Sequence, residues 1–226
     1  MRAVALLAAG GRGERLQAEV PKALVRLAGK PLLQFALEAM DACTEVEAVV
    51  VAAPSDRWND VEDLAKGWRK VVDVVKGGES RQASIRNALE AAPPRFDVVL
   101  CHDVARPFAS SALFTMVLAA LDGADGAVPV VPASDTVKRT EDGVIAETLP
   151  RDMLGLAQTP QAFRREALVA AHRAALLDGF EGTDDSALVE RAGSRVVTVP
   201  GEAWNIKITT AADLPIADLL AASLGG

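Results

Sequence analysis

The stretch VALLAAGGRGERL at residues 4–16 decides the fold class, because an apolar run typical of a buried strand passes directly into a glycine-rich loop. Short β-branched or apolar runs recur at residues 46–52, 71–75, 97–101, 126–131 and 195–199. Between them lie longer segments with helical periodicity, at residues 31–42, 57–67, 80–92, 110–121, 164–177 and 184–192. This alternation predicts an α/β fold, with a mainly parallel, twisted sheet and helices on both faces. Ligands of such a sheet bind beyond the carboxyl ends of its strands.

Residues 135–151 depart from this alternation. Their sequence, DTVKRTEDGVIAETLPR, alternates in polarity around an Asp142-Gly143 pair, which predicts a protruding β-hairpin arm. The hairpin has few large apolar side chains, and an isolated hairpin is only marginally stable in water. We therefore expect it to rest on something else, and a second copy of the chain is one candidate.

The chain as a whole is expected to form one domain over residues 1–226. A length of 226 residues with 50% apolar content can fill a single hydrophobic core. The sequence contains no tandem repeat and no convincing interdomain linker. Residues 211–224 are expected to form a closing helix.

Composition and charge exclude several classes of protein. Acidic residues outnumber basic ones 31 to 24, and the net charge of −7 opposes attraction to nucleic acids and anionic membranes. The apolar runs are far shorter than the roughly 20 residues that cross a bilayer, and the first residues lack a secretory pattern. We therefore expect a cytoplasmic protein. Cys43 and Cys101 are far apart in apolar surroundings, which favours buried thiols over a disulfide or zinc site.

The glycine-rich loop suits a triphosphate. Its glycines at residues 10–13 let backbone amides approach an anion closely, and Arg12, Arg15 and Lys22 can neutralise several phosphate oxygens. A glycine turn with solvated charges is the alternative interpretation. A P-loop ATPase is disfavoured because the pattern G-x-x-x-x-G-K-[ST] is missing. A dinucleotide-dependent oxidoreductase is disfavoured because no third glycine follows and no acidic residue ends the second strand.

Two further polar motifs follow predicted strands. The motif GGESRQAS at residues 77–84 offers helix amides to a base or an anion, although an ordinary helix N-cap explains Ser80 equally well. In CHDVARP, at residues 101–107, Asp103 is our candidate metal ligand, because Mg²⁺ takes one or two carboxylates plus substrate phosphates. Helix capping is the alternative for Asp103. His102 adjoins the strand, which favours a structural role over a catalytic one.

Three late motifs place polar side chains near apolar ones and suit an acceptor pocket: QTPQ at residues 158–161, GTDDS at residues 182–186 and WNIKIT at residues 204–209. The middle motif is also a good helix start. Lys207 stands between Ile206 and Ile208 on what we interpret as a strand. A lysine that is buried there needs an anionic partner.

In this order, AGGRGERL, PKAL, GGESRQAS, CHDVARPF, LAQTPQAF, GTDDSAL and WNIKIT cover nearly the whole chain and resemble the 2-C-methyl-D-erythritol 4-phosphate cytidylyltransferase family. The resemblance implies a Rossmann-like nucleotidyltransferase fold and Mg²⁺ as cofactor. It implies transfer of CMP from CTP to methylerythritol phosphate, giving 4-diphosphocytidyl-2-C-methyl-D-erythritol and pyrophosphate in the non-mevalonate isoprenoid pathway. Family members are typically homodimers with an exchanged β-arm, which residues 135–151 match.

The resemblance also implies roles for individual residues. Those that would line the nucleotide are Ala9, Gly10, Gly11, Gly78, Glu79 and Ser84, although the family often has aspartate where Glu79 stands. Those that would carry the transfer are Arg15, Lys22 and Lys207, while Asp103 would hold the metal. Those that would address the acceptor, together with Lys207, are Arg106, Thr136, Arg151, Thr159 and Thr183.

Two other functions stay open at this point. A cytidylyltransferase of the same superfold that acts on ribitol 5-phosphate or another polyol phosphate would differ in its acceptor pocket. A nucleotide-sensing module without turnover would share the fold and the loop, because a fold alone does not prove catalysis.

Overall fold

The computed structural model describes residues 2–11, 16 and 20–224 of the chain. Its strands are β1 (Ala3–Ala8), β2 (Arg26–Leu27), β3 (Lys30–Pro31), β4 (Val46–Ala53), β5 (Val71–Lys76), β6 (Val98–Asp103), β7 (Gly126–Pro132), β8 (Lys138–Glu141), β9 (Val144–Thr148), β10 (Gly155–Ala157), β11 (Gln161–Arg164) and β12 (Val196–Pro200). Its α-helices are α1 (Leu32–Ala42), α2 (Trp58–Ala65), α3 (Arg81–Ala91), α4 (Ser111–Ala119), α5 (Arg165–Asp178), α6 (Asp185–Arg191) and α7 (Leu214–Leu224). Each strand and helix of the predicted alternation is present, with its ends moved by a few residues at most.

The main sheet has the order β5-β4-β1-β6-β11-β7-β12. Strand β1 pairs in parallel with β4 and β6, β4 pairs in parallel with β5, and β7 pairs in parallel with β12. Ala8 at the end of β1 lies opposite Ala52 of β4 and Asp103 of β6. The carboxyl ends of these strands therefore meet at one edge of the sheet.

Strand β1 shows why the sheet is covered on both faces. Ala3, Ala5 and Leu7 pack into one apolar cluster, whereas Val4 and Leu6 pack into another, and all are fully buried. Helices α1, α4 and α7 contribute to the first cluster, and α3, α5 and α6 contribute to the second. A parallel strand buried on both faces is expected to be apolar at every position, as the sequence of β1 is.

The sequence pattern does not predict β10 and β11. Both pair antiparallel with β7 along the same side, and β11 also pairs antiparallel with β6. The two strands have three and four residues. β10 ends just before the polar QTPQ motif and β11 begins at its last residue, so no apolar run marks them. Phe163 of β11 packs tightly against Gly126 of β7, where a Cβ atom would lie 2.8 Å from the ring. The largely parallel sheet therefore contains an antiparallel insertion beside β6.

The predicted hairpin is present as β8 and β9. Asp142 and Gly143 have φ angles of 50° and 80°, the left-handed values that a tight hairpin turn requires. Both strands are exposed along their length, and Val144 and Ile145 are 68% and 59% exposed.

The two cysteines are free and buried, as predicted for Cys43 and Cys101. Within the described ranges, no helix is long and apolar enough to cross a bilayer.

Candidate active site

A cleft of about 660 Å³ opens where β1, β5 and β6 end, a volume typical of small-molecule sites. The described residues that line it are Ala8, Ala9, Gly10, Gly11, Lys22, Ala23, Gly78, Glu79, Ser80, Arg81, Ser84, Asp103, Val104, Ala105, Lys207 and Thr209. These include every residue predicted to line the nucleotide. They also include Lys22, Asp103 and Lys207, so the fold brings together residues that are far apart in the sequence.

Two loops approach each other closely at one side of the cleft. A Cβ atom on Gly77 would lie 2.9 Å from Ser84 Oγ and 3.0 Å from the Ala53 carbonyl oxygen, and one on Gly10 would lie 3.1 Å from Ser84 Oγ. The Ser84 hydroxyl accepts a hydrogen bond from the Gly78 amide and donates one to the Ser80 carbonyl. Glycine at these positions therefore lets the two loops pack together and brings backbone to the surface of the cleft.

Helix α3 begins at this wall of the cleft. The Ser80 side chain caps it by accepting a hydrogen bond from the Ala83 amide at 3.1 Å, so the capping interpretation of Ser80 is confirmed. Glu79, just before the cap, is exposed and lines the cleft. The first amides of a helix favour an anion, and this helix presents them beside the glycine loops.

Asp103 ends β6 and is almost fully buried, with two cations bound to its carboxylate. Arg81 Nε lies 2.6 Å from Oδ1, and Lys207 Nζ lies 2.7 Å from Oδ2. Burial alone would raise the pKa of Asp103, but the charges of Arg81 and Lys207 outweigh it and hold the pKa well below its usual range. Asp103 is therefore a permanent anion in the wall of the cleft.

Arg81 and the buried partners behind it were not predicted from the sequence as functional residues. Arg81 also donates through Nη1 to Asp185 Oδ2 at 2.8 Å, and Asp185 Oδ1 lies 3.2 Å from His172 Nε2. Burial would raise the pKa of Asp185, but Arg81 and His172 outweigh it and lower the pKa. One sequence signal was available: GTDDS has two adjacent carboxylates, and only Asp184 caps α6.

His102 and Thr159 lie behind Asp103. The Asp103 amide donates to Thr159 Oγ1 at 3.0 Å, and Thr159 Oγ1 lies 3.0 Å from His102 Nδ1. His102 Nε2 lies 3.2 Å from the Arg106 carbonyl, an acceptor, which assigns the proton to Nε2. Burial lowers the pKa of His102 to about 4, so the ring is neutral near pH 7. His102 is therefore structural, as the sequence favoured, and the buried Thr159 supports Asp103.

Lys207 does not lie on a strand, so that prediction is wrong. Residues 205–209 have no regular secondary structure. Their backbone amides and carbonyls form hydrogen bonds with side chains and loop residues and not with a neighbouring strand. Ile206 and Ile208 pack on the core, and Lys207 points to the cleft with 42% of its side chain exposed. Its expected anionic partner is Asp103. Lys22 Nζ donates to the Ile208 carbonyl at 2.9 Å, so both lysines meet at this segment.

The sequence model of the 2-C-methyl-D-erythritol 4-phosphate cytidylyltransferase family matches residues 3–223. The chain belongs to this family. It is 42% identical over 225 residues to the family's enzyme from Geotalea uraniireducens, covering 96% of each chain. It is 44% identical over 227 residues to the enzyme from Saccharopolyspora erythraea, covering 98% of this chain and 100% of the relative. The motif resemblance is thereby confirmed.

Solved structures of the family share the fold. The crystal structure of the cytidylyltransferase from Thermus thermophilus superposes with a TM-score of 0.83 at 37% identity, covering 98% of this chain and 100% of that one. The 4-diphosphocytidyl-2C-methyl-D-erythritol synthase of Anaerococcus prevotii gives a TM-score of 0.87 at 29% identity, with 98% of each chain covered. The predicted Rossmann-like cytidylyltransferase fold is confirmed.

Apart from Lys207, the residues that the family resemblance assigns to the acceptor do not line the cleft. Arg106 donates to the Asn205 carbonyl at 2.7 Å and to the Ala157 carbonyl at 3.0 Å. Burial lowers the pKa of the Arg106 guanidinium from its ordinary value. Thr136, Arg151 and Thr183 are exposed outside the cleft lining. Arg12 and Arg15 lie outside the described residues.

Among the described residues, two carboxylates line the cleft, the exposed Glu79 and the almost fully buried Asp103, and Asp103 is the candidate ligand for the metal that the family implies. Among the residues that the structure describes, no group of three or more His, Cys, Asp or Glu side chains is placed to hold a metal ion. A carboxylate offers about four lone-pair positions, and the contacts to Arg81 and Lys207 leave Asp103 with acceptor capacity. Such a carboxylate fits Mg²⁺, because Mg²⁺ can take its other ligands from substrate phosphates and water.

Proposed function

We propose that this chain transfers CMP from CTP to 2-C-methyl-D-erythritol 4-phosphate and releases pyrophosphate, with the reaction centred on Lys22, Lys207 and Asp103. The observation that carries the proposal is their convergence. The three side chains come from positions far apart in the sequence and line one cleft, beside two glycine loops and the start of α3. Family membership over residues 3–223 supports the substrates.

In the proposed reaction a phosphate oxygen of methylerythritol phosphate attacks the α-phosphorus of CTP. A P–O bond forms to the acceptor, and the bond from the α-phosphorus to the oxygen that bridges it to the β-phosphorus breaks. Pyrophosphate leaves with that electron pair. No general base is needed, because a phosphomonoester with a second pKa near 6 is already largely dianionic at pH 7.

The protein must therefore hold two anions in line and stabilise the charge on the transferring and leaving groups. Lys22 and Arg15 are assigned to the triphosphate, and Lys207 to the transferred phosphate and the acceptor. Lys207 is suited to this role because it is paired with Asp103 and partly exposed, so its ammonium is already aimed at the cleft. The nucleotide is assigned to Ala9, Gly10, Gly11, Gly78, Glu79 and Ser84.

Within the proposed nucleotide site, we assign different roles to the glycine backbone and to the Ser84 side chain. The Ser84 hydroxyl on α3 is already bonded to the Gly78 amide and the Ser80 carbonyl, so we assign it to shaping the loop before the helix, while the glycine backbone faces the base and ribose. Asp103 would hold Mg²⁺, which would neutralise charge on the phosphates when bound.

The acceptor site would be completed by a second copy of the chain. Thr136 and Arg151 lie near the two ends of the arm formed by residues 135–151 and outside the cleft lining of their own chain. The arm is exposed, with Val144 and Ile145 uncovered. We therefore assign the arm to a homodimer in which these residues, with Arg106 and Thr183, address methylerythritol phosphate, while the buried Thr159 supports the site through Asp103. One nucleotidyltransferase domain over residues 1–226 and a cytoplasmic location belong to the same proposal.

An acceptor comparison tests the proposal. The purified chain is given CTP with methylerythritol phosphate, or CTP with ribitol 5-phosphate, and pyrophosphate is measured with and without Mg²⁺. We expect rapid, Mg²⁺-dependent release with methylerythritol phosphate only. Preference for ribitol phosphate would assign a different acceptor, and CTP binding with no pyrophosphate from either acceptor would indicate a nucleotide-binding module.

A further inference from the structure

The segment of residues 201–209 carries Lys207 and accepts the hydrogen bond from Lys22, yet it has no regular secondary structure beyond a turn. A lysine on such a segment is positioned only as well as the segment itself is fixed. A displacement of about 1 Å from the reactive geometry can cost on the order of 100-fold in rate. The contacts that fix this backbone therefore bear on catalysis.

Gln158 makes four hydrogen bonds to this segment, from a position outside the cleft. Its side-chain oxygen accepts from the Glu202 amide at 3.1 Å, and its Nε2 donates to the Glu202 carbonyl at 2.9 Å. The side-chain amide thus pairs with the backbone of one residue in both directions, as a neighbouring strand would. Gln158 is 5% exposed and does not line the cleft.

The same side chain also holds Asn205, two residues before Lys207. Gln158 Oε1 accepts from Asn205 Nδ2 at 3.2 Å, and Nε2 lies 3.4 Å from the Asn205 carbonyl. Asn205 Nδ2 donates in addition to the Thr159 carbonyl at 2.9 Å. A Cβ atom on Gly201 would lie 2.8 Å from Gln158 Oε1, so the segment passes directly over this amide group.

We infer that Gln158 is a positioning residue for Lys207: its side-chain amide fixes the backbone of residues 201–205 and thereby sets where the Lys207 ammonium meets the transferred phosphate. This inference rests on the proposed function, because it assumes that Lys207 acts in the transfer. The Asn205 carbonyl also accepts from Arg106, and the Gly201 and Ile208 amides donate to the Val130 and Ala105 carbonyls. Loss of Gln158 therefore loosens the segment without removing it from the fold.

A double-mutant experiment tests the inference. The variants are Gln158→Met, which keeps the length but removes the hydrogen bonds, Lys207→Ala, and the two combined. We expect Gln158→Met to lower kcat about 10- to 100-fold while KM for CTP changes less than about 2-fold. In the Lys207→Ala background, Gln158→Met should change kcat by less than about 2-fold, because the group it positions is gone.

The controls separate positioning from stability. Gln158→Glu keeps the length and both acceptor contacts but loses the donors to two carbonyls, and it carries the test if Gln158→Met is not recovered folded. Lys70→Met removes three hydrogen bonds to backbone carbonyls at the end of α1, remote from the cleft, and should leave kcat unchanged.

Three results would overturn the inference, and they are distinguishable. If Lys207→Ala is slow but both Gln158 variants have normal kcat, the inference is overturned while the proposed function stands. Equal losses from Gln158→Met with and without Lys207 also overturn it, because Gln158 would then act through something else. Normal turnover in Lys207→Ala overturns the proposed role of Lys207 and the inference together.

Discussion

Arg81 and the buried Asp103 form an ion pair, with Nε 2.6 Å from Oδ1, and the same partly buried guanidinium binds the buried Asp185. We expect Arg81→Gln to lower the free energy of unfolding by about 3 kcal/mol, because it leaves two buried carboxylates short of a cation. Urea denaturation at pH 7 measures the change. Arg57→Gln is the matched control, since its pair with Asp60 is exposed and should contribute less than about 1 kcal/mol. Equal losses of unfolding free energy in the two variants would show that the Arg81 pairs stabilise the fold no more than the exposed Arg57 pair does.

His102 gives the protein a stability that depends on pH. Its pKa is about 4 in the folded chain, against 6.5 for an ordinary histidine, because burial disfavours the charged ring. Between these values the unfolded chain binds the extra proton, so stability falls as the pH falls from about 6.5 to 4, by roughly 1.4 kcal/mol per pH unit.

The measurement is the free energy of unfolding against pH, compared between the parent chain and His102→Gln. We expect the variant to lose most of the slope in this window, whatever its absolute stability. Below about pH 4 both proteins should lose stability further, because the pKa values of Asp103 and Asp185 are lowered by folding. An unchanged slope between pH 6.5 and 4 would contradict a neutral, buried His102.

The two lysines of the cleft should separate catalysis from folding. We expect Lys22→Ala and Lys207→Ala each to lower turnover about 100-fold or more, because each removes a positive charge from the region of the transferring phosphate. The fold should survive, since Lys207 is partly exposed. Steady-state kinetics with circular dichroism measures both effects. Lys66→Ala removes an exposed lysine just after α2 that pairs with Glu62 and Asp63 of that helix. This variant should behave as the parent chain. Near-normal turnover in either cleft variant would refute its role.

The arm should control assembly. We expect the double variant Val144→Lys, Ile145→Lys to sediment as a monomer and to lose activity, because it places charge on the apolar surface that we assign to the dimer. Analytical ultracentrifugation measures the mass in solution. Leu176→Lys, Leu177→Lys alters a comparably exposed apolar pair on α5 and should remain dimeric and active. A parent chain that is monomeric at assay concentration, or an active monomeric variant, would argue against a shared site.

Local sequence pattern predicts most of the fold here. Strands such as β1 and β4 are apolar at nearly every position because both faces are buried, and the helices between them have clear starts such as Ser80. Short strands escape this reasoning. β11 has four residues and its apolar content is Ala162 and Phe163, so its place between β6 and β7 depends on tertiary pairing.

The candidate site is predictable in part for the same reason. The glycine loops follow strand ends and Asp103 is the last residue of a strand. Parallel sheets place ligands at these ends, so position in the sequence indicates the site. The network behind it is not predictable in this way. Arg81 and Asp185 are 104 positions apart, and only the path of the chain brings them within 2.8 Å. Lys207 was assigned to a strand because its apolar neighbours resemble one, whereas their burial comes from an irregular segment.

A crystal structure of the chain with CTP and Mg²⁺ would show whether the triphosphate lies against Lys22 and Lys207. We expect the triphosphate in the cleft, with Lys22 Nζ within about 3.2 Å of a phosphate oxygen and the cytidine against residues 78–84. Asp103 should lie beside the metal. A nucleotide bound at another surface, with neither Lys22 nor Lys207 near its phosphates, would contradict the proposed site.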